Sequence, residues 1–527
     1  MIYFVLSLIP MLILVYFKSK KSIHMLQQNF YDDDHRYLLW ITRNLNKVFF
    51  MVDIRFWILI CCLFLQPILS NLLVAIIYLL FIYYYLKISK KEVVKKPLAV
   101  TPRVKRLLFT IFVMYFIMIL SICLSYNSNL LVYYYLLLGL FTYLNYFVVM
   151  TANVINIPAE KCVYLSYKIK AQRKLKSMNI PVIGITGSYG KTSSKNIIND
   201  ILNVKFNSFA TPKSFNTPYG LIRSINNYLD KFSELFIAEM GAFKIGEIKQ
   251  NCNLVHPKYG IITTIGEAHL ESFGSRENIQ KGKFELIESL PKDGTAILNG
   301  DDSYQLSYKL KNKCKVLWIG IDNKDVDLYA TNIKLSHDGT TFDCIFKGDS
   351  KKYTFKTKLL GKHNVYNILS GILLGKTLGM SIEQLQRGVN EVKTIEHRLE
   401  LKKYGNINII DDAYNSNPVG SKMAVEVLGL MPGEKIIVTP GMIELGKEQY
   451  ELNKKFGEYI SKVCDYVILI GEKQTKPIYD GLKENKFDLE KVFILNDVKK
   501  AFPLMNELSN KETYVLLEND LPDLFNE

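Results

Sequence analysis

Cysteine is present in this chain without any of the spacings that would give it a job. The eight cysteines include no C-x-x-C pair and no Cys/His run with ligand spacing, which argues against zinc and iron–sulfur frameworks. Cys61 and Cys62 lie side by side in a lipid-facing apolar run, as free thiols in a reducing compartment would. Internal repeats and low-complexity tracts are missing as well. Histidine is scarce, at seven of 527 residues. The first apolar segment, Met1 to Phe17, has no charges before it and no small-residue cleavage site after it. It therefore reads as a membrane anchor and not as a secretory leader. The strict phosphate-loop spacing G-x-x-x-x-G-K-[ST] is also absent, because position 185 is Ile.

Charge and apolar residues are plentiful but sorted. The formal charge of +16 would suit a nucleic-acid binder. Lys and Arg flank apolar spans, however, where they report membrane topology, so no nucleic-acid partner is expected. Lys18, Lys20 and Lys21 follow the first span. The next apolar run, Phe56 to Leu86, is long for one crossing and tight for two. Basic residues on both sides favour two, with a turn near Pro67 to Asn71. Leu107 to Tyr126 and Leu130 to Met150, joined by Asn127-Ser128-Asn129, read as a second hairpin. The expectation is five crossings, with four as the alternative, in a multi-pass protein of the cytoplasmic membrane.

A basic juxtamembrane helix is expected over 151–178, and everything beyond it on the cytoplasmic side. There, β-branched runs alternate with helical patterns, the mark of an α/β fold. Strands are expected at Pro181–Thr186, Leu235–Glu239, Gly260–Ile265 and Thr295–Leu298, then a small antiparallel flap between Lys313 and Phe355. A second α/β segment follows from Ile407 to Leu517. The domains expected are a transmembrane region (1–150), the linker helix (151–178), an ATP-binding domain (179–393) and a Rossmann-like C-terminal domain (394–527).

The chemistry concentrates after Val182-Ile183-Gly184-Ile185-Thr186. There Gly187-Ser188-Tyr189-Gly190-Lys191-Thr192-Ser193 leads into a helix. Glycines let backbone N–H groups approach an anion, and a helix N-terminus adds partial positive charge. Lys191 can reach the β/γ-phosphates and Thr192 can ligate Mg²⁺. Glu239 ends an apolar strand beside Gly241, where it can hold Mg²⁺ or cap the next helix. His269 follows another strand and a Gly turn. Lys283 sits in a helical stretch, where a lysine is ordinarily solvated. In Gly361 to Asn367, His363 and Asn364 look like helix caps, with Asn367 a turn further on.

In order, these motifs resemble the Mur ligase superfamily. The segments that carry the resemblance are Thr186 to Thr192, Glu239 to Gly241, Gly266 to Gly274, Asn299-Gly300-Asp301-Asp302, Gly361 to Asn367, His397-Arg398-Leu399-Glu400 and Asp411 to Pro418. Gly266 to Gly274, Asp411 to Pro418 and Met442 to Gly446 look most like the MurF branch. The resemblance implies a phosphate-loop central domain, a Rossmann-like last domain, and ATP-dependent amide formation through an acyl phosphate. It implies two Mg²⁺ sites, one held by Thr192 and Glu239, the other by His269 and by Lys283, which the family often carries carbamylated. It also implies that Lys191 holds phosphates and that Asn299, His363, Asn364, Asn367, Arg398 and Asp412 contact nucleotide.

The chain departs from the branch in two places. A membrane segment stands where MurF enzymes carry a soluble UDP-sugar-binding domain, and Gly441 precedes Met442 where they carry an acidic residue. The substrates implied are ATP, a carboxylate-bearing cell-wall or surface-polymer precursor that is soluble or lipid-linked, and an amino acid or D-Ala-D-Ala-type dipeptide. A second reading is an amide ligase for a capsule polymer such as poly-γ-glutamate. A third, of another class, is an NTP-gated transporter or receptor, against which the spans hold few ionisable residues.

Overall fold

The computed structural model describes residues 2–29, 31, 35–49, 55, 70–89, 97–267, 270–336, 339–394, 397–404, 407–413, 417–443, 445–509 and 512–519. It divides into two compact units, residues 1–166 and 167–527.

The first unit is helical: Ile2–Gln28, Arg36–Arg43, Leu45–Val48, Ser70–Ser89, Pro102–Leu124, Leu131–Tyr143 and the start of Asn145–Met178. Its surface is apolar as well as its core, in which Phe4, Leu8, Met11, Leu14 and Ile23 are packed. Leu72, Leu79, Phe109, Phe112 and Ile117 point outward, while Ser19, Ser22, Tyr37, Thr142 and Asn145 are buried. The buried polar groups pair across helices, Ser22 Oγ with Tyr37 Oη at 2.6 Å and Asn145 Nδ2 to Ser19 Oγ at 3.0 Å. Where the surroundings are apolar, such pairs add to the packing that holds helices together. Three helices, Ile2–Gln28, Asn71–Ile88 and Pro102–Leu124, are long and apolar enough to cross a bilayer. Ser128–Tyr143 with Asn145–Met178 makes a fourth if that bent pair is counted as one span.

Two expectations change here. Leu130 to Met150 is not one straight segment, because the chain bends by 75° at the break between Tyr143 and Asn145. The helix beyond that break then runs unbroken through residue 150 to Met178. No glycine interrupts it, and Pro158 is accommodated within it, so 151–178 is the continuation of a helix that begins in the apolar stretch. The proposed first crossing of Phe56 to Leu86 lies outside the described residues up to Leu69.

The second unit holds two sheets. The first has nine strands in the order β2-β3-β1-β4-β5-β6-β7-β8-β9. These are β1 Val182–Thr186, β2 Ser208–Ala210, β3 Leu235–Glu239, β4 Tyr259–Ile262, β5 Thr295–Asn299, β6 Lys315–Gly320, β7 Leu328–Ser336, β8 Gly339–Phe346 and β9 Tyr353–Thr357. Strands β1, β3 and β5 are buried throughout. That explains their unbroken apolar runs, since helices cover both faces of a parallel sheet. The expected flap at Lys313–Phe355 is instead the rim of this sheet. Strand β6 pairs in parallel with β5, β7 with β6, and only β7-β8-β9 run antiparallel. Alternating burial along β7 and β8 produced the flap-like pattern.

The second sheet has six strands, β10-β11-β15-β12-β13-β14. They span β10 Glu400–Tyr404, β11 Ile407–Asp412, β12 Glu434–Thr439, β13 Tyr466–Ile470, β14 Val492–Leu495 and β15 Thr513–Glu518. Only β10 is antiparallel to its neighbour. In open sheets of this kind ligands gather beyond the carboxyl ends of the strands. In the first sheet the loops after β1, β3, β4 and β5 meet there.

Candidate active site

The loop after β1 is built around two glycines. Gly187 has φ 151° and Gly190 φ 75°. A Cβ on Gly187 would stand 2.0 Å from Thr263 Oγ1, so only glycine fits. The loop is tied to the end of β4. Ser188 N–H donates to the Thr264 carbonyl at 2.7 Å, Gly266 N–H donates to Ser188 Oγ at 3.0 Å, and the Thr263 hydroxyl donates to the Tyr189 carbonyl. The Tyr189 ring packs where a side chain at 266 would be. Lys191, Thr192 and Ser193 form the first turn of the helix Lys191–Leu202.

Lys191 Nζ turns back onto the carbonyls of Gly187 and Ser188, at 2.7 and 3.0 Å. Burial pushes its pKa down to about 8; Glu239 opposes the shift and Arg398 adds to it. An ammonium that donates to two loop carbonyls at a helix N-terminus fits a phosphate anion.

Glu239, 1% exposed at the end of β3, is the centre of a second cluster. Its Oε1 accepts from Thr192 Oγ1 and from Asn216 Nδ2, both at 3.1 Å. Lys195 Nζ lies 3.3 Å from its Oε2. A carboxylate and a threonine hydroxyl beside a phosphate loop are hard oxygen donors, so this pair fits Mg²⁺. Among the described residues no group of three or more His, Cys, Asp and Glu gathers to hold a metal. His269 lies outside the described residues.

Lys283 is not solvated. It is 1% exposed on the helix Arg276–Glu288, with Nζ 3.4 Å from the Ala242 carbonyl and 5.3 Å from the Phe273 ring centre. Burial, and then the charge of Lys191, hold its pKa well below the ordinary lysine value. The amine is therefore poised to lose its proton.

The remaining nucleotide-side candidates are placed as follows. Asn299 ends β5, and its side chain accepts from Asp301 N–H at 3.0 Å. Asn367 Oδ1 accepts from Ser194 Oγ at 2.6 Å, and Asn367 Nδ2 donates to Asn364 Oδ1 at 3.3 Å. These contacts link the helix Lys362–Thr377 to the phosphate-loop helix. The expected capping does not occur: the N-cap is Gly361, at φ 91°, and Asn364 Nδ2 bonds the Leu360 carbonyl instead. Buried His363 Nδ1 has no hydrogen-bond partner among the described residues. Burial, reinforced by Arg398, lowers the His363 pKa to about 4, so the ring is neutral.

Arg398 sits between His397 (φ 58°) and Leu399 (φ 48°), both in the left-handed region that is uncommon for residues other than glycine. Its charge acts on Lys191, His363 and Asp412. Asp412, at the end of β11, accepts from Leu399 N–H at 3.2 Å. Burial raises its pKa to about 6, while Arg398, the Leu399 bond and a hydrogen bond with buried Glu518 pull the other way. Gly441, at φ 80°, leaves no room for a side chain, since a Cβ would meet Asn453 Oδ1 at 2.9 Å.

Sequence reasoning missed Lys195, Asn216 and Arg276. The last of these joins Glu267 at 2.9 Å to Glu448 of the second sheet's domain at 3.2 Å. For Lys195 a signal existed: it lies one helical turn beyond Lys191. For the other two, nothing local sets them apart.

Comparisons with known proteins agree with this geometry. Residues 185–375 match the Mur ligase middle domain, and residues 397–518 match the Mur ligase glutamate ligase domain. The UDP-N-acetylmuramoyl-tripeptide–D-alanyl-D-alanine ligase of Bacillus subtilis is 31% identical over 353 residues, 66% of this chain and 75% of that protein. The Escherichia coli protein of the same name is 30% identical over 55% of this chain and 65% of its own length. A crystal structure of MurF ligase from Thermotoga maritima in complex with ADP superimposes with a TM-score of 0.60 at 26% identity. It covers 68% of this chain and 80% of that one. This chain belongs to the Mur ligase family and is, with that family, an ATP-dependent amide ligase.

Proposed function

We propose that this chain is a membrane-tethered MurF-type ligase that joins a D-alanyl-D-alanine-type dipeptide, or an amino acid, to a carboxylate of a cell-wall precursor. One observation carries the reading. Lys191 and Thr192 open the helix after β1, Glu239 ends the neighbouring strand β3, and buried Lys283 reaches the Ala242 carbonyl just beyond it; the charge of Arg398, from the following domain, acts on Lys191 and on Asp412. The names of the curated relatives supply the substrate class. On this reading residues 179–393 form the ATP-binding domain and 394–527 the closing one.

The resemblance to the Mur ligases implies the chemistry. A substrate carboxylate oxygen attacks the γ-phosphorus of ATP, the bond to ADP breaks, and an acyl phosphate results. The amine then attacks the acyl carbon, loses a proton, and phosphate leaves. Lys191 and the loop amides hold the phosphates, and Thr192 with Glu239 would hold a Mg²⁺ that neutralises their charge. A carbamylated Lys283, with His269, would hold a second. The Arg276 bridge from Glu267 to Glu448 favours an arrangement that shields the acyl phosphate from water. The apolar helices of the first unit favour a donor that is delivered at the membrane, a lipid-linked precursor included.

The test is turnover of purified full-length protein with ATP, Mg²⁺ and panels of carboxylates and amines, read as phosphate release and as amide product by mass spectrometry. Release that requires both substrates is expected, and Lys191→Ala should abolish it. Release independent of any acceptor would sink the reading.

A further inference from the structure

Lys195 is as buried as the carboxylate it faces, at 1% exposure for each. A buried ammonium is costly unless it is paired and hydrogen-bonded, and this one has two partners. Its Nζ lies 3.3 Å from Glu239 Oε2 and donates to the carbonyl of Lys213. Lys213 takes φ 49°, an uncommon backbone for a lysine. Three residues further along the same loop is Asn216, which donates to Glu239 Oε1. The other donor to Oε1 is Thr192. The ammonium thus occupies one oxygen of the carboxylate and anchors the loop whose asparagine holds the other.

We propose that Lys195 is a positioning residue for metal binding. It locks Glu239 through Oε2 and the 211–217 loop through the Lys213 carbonyl, so that Oε1 alone faces Thr192 and a divalent cation bound with the nucleotide. This rests on the reading of Thr192 and Glu239 as the metal pair. On this proposal Lys195 acts through Glu239 and the Lys213 carbonyl.

Coulomb's law makes the idea testable in sign. Removing a positive charge beside a cation site should by itself tighten the metal. Positioning predicts the reverse. Detergent-solubilised full-length protein is titrated with Mn²⁺ and ADP and followed by Mn²⁺ electron paramagnetic resonance, with ADP binding without metal measured alongside. Lys195→Met should bind ADP alone as the wild type does, lose Mn²⁺ affinity about tenfold, and need about tenfold more Mg²⁺ for half-maximal turnover. Unchanged or tighter Mn²⁺ binding in that variant overturns the proposal. If Lys195→Met does not fold, Glu239→Gln is compared with Glu239→Gln/Lys195→Met. A residue that acts through Glu239 adds no further loss once that carboxylate is gone, and an additional loss overturns the proposal. A wild-type protein that binds neither Mn²⁺ nor ADP overturns the metal-site reading and this inference with it, whereas normal wild-type binding with an unaffected variant overturns this inference alone.

Discussion

Lys283 shows how far burial changes what a lysine can do. On an exposed helix it would stay charged; here the buried surroundings and the Lys191 charge favour the neutral amine. A neutral amine is the form that adds carbon dioxide, and the product is an anion suited to a metal. Lys283→Ala should therefore lose turnover by orders of magnitude, and short-chain carboxylates added to the variant should restore part of it. Activity unchanged in the variant would end the carbamylation proposal. Asp412 makes a contrasting case. Its folded pKa is raised by burial, so the folded protein binds a proton more readily than the unfolded chain between the ordinary carboxylate value and about pH 6. The ionised form therefore costs stability, fully so above about pH 6. Asp412→Asn should raise the Tm at pH 7.5, with the gain shrinking as pH falls from 6 to 4, while nucleotide turnover drops. A Tm gain that is constant from pH 4 to 7.5 would contradict the assignment.

At the scale of elements, the parallel core was legible because β1, β3 and β5 are buried on both faces and leave unbroken apolar runs in the sequence. The rim was not. Strands β7 and β8 alternate like any half-exposed hairpin, and nothing in their pattern says that β7 continues a parallel sheet through β6. Likewise the phosphate loop could be read from its glycines and Lys-Thr, whereas Asn216 reaches Glu239 only because β2 and β3 are neighbours. Contacts between distant segments leave no local trace. The loop itself yields a sharp expectation. Gly187→Ala would drive a methyl into Thr263, so nucleotide binding should fall at least tenfold by titration with ADP. The change in Tm should stay within a few degrees, because the clash lies in a loop and the strand core is untouched. Nucleotide affinity equal to wild type would mean that the loop cradles something other than phosphate.

For the molecule as a whole, the decisive contrast is between the surfaces of the two units. The α/β unit buries its isoleucines, leucines and valines in continuous clusters, whereas the helical unit, with an apolar core of its own, also turns leucines and phenylalanines outward and keeps Ser19, Ser22, Tyr37 and Asn145 inside. Outward apolar area on that scale is unfavourable in water, at roughly 25 cal/mol for each Å² exposed. A hydrocarbon environment removes that cost, and the cross-helix hydrogen bonds then need no water. The full-length protein should accordingly sediment with membranes and stay there through an alkaline carbonate wash, while a chain beginning after residue 166 should remain in the supernatant. On the membrane-tethered proposal, the lysines and arginines at Lys18 to Lys21, Lys87 to Arg106 and Lys161 to Lys176 would set the orientation by the positive-inside rule. A reporter fused after residue 151 should then read as cytoplasmic, the side that supplies ATP. An extracytoplasmic reading would place the ligase domains away from their nucleotide and defeat the membrane-tethered proposal, even if the site chemistry stood.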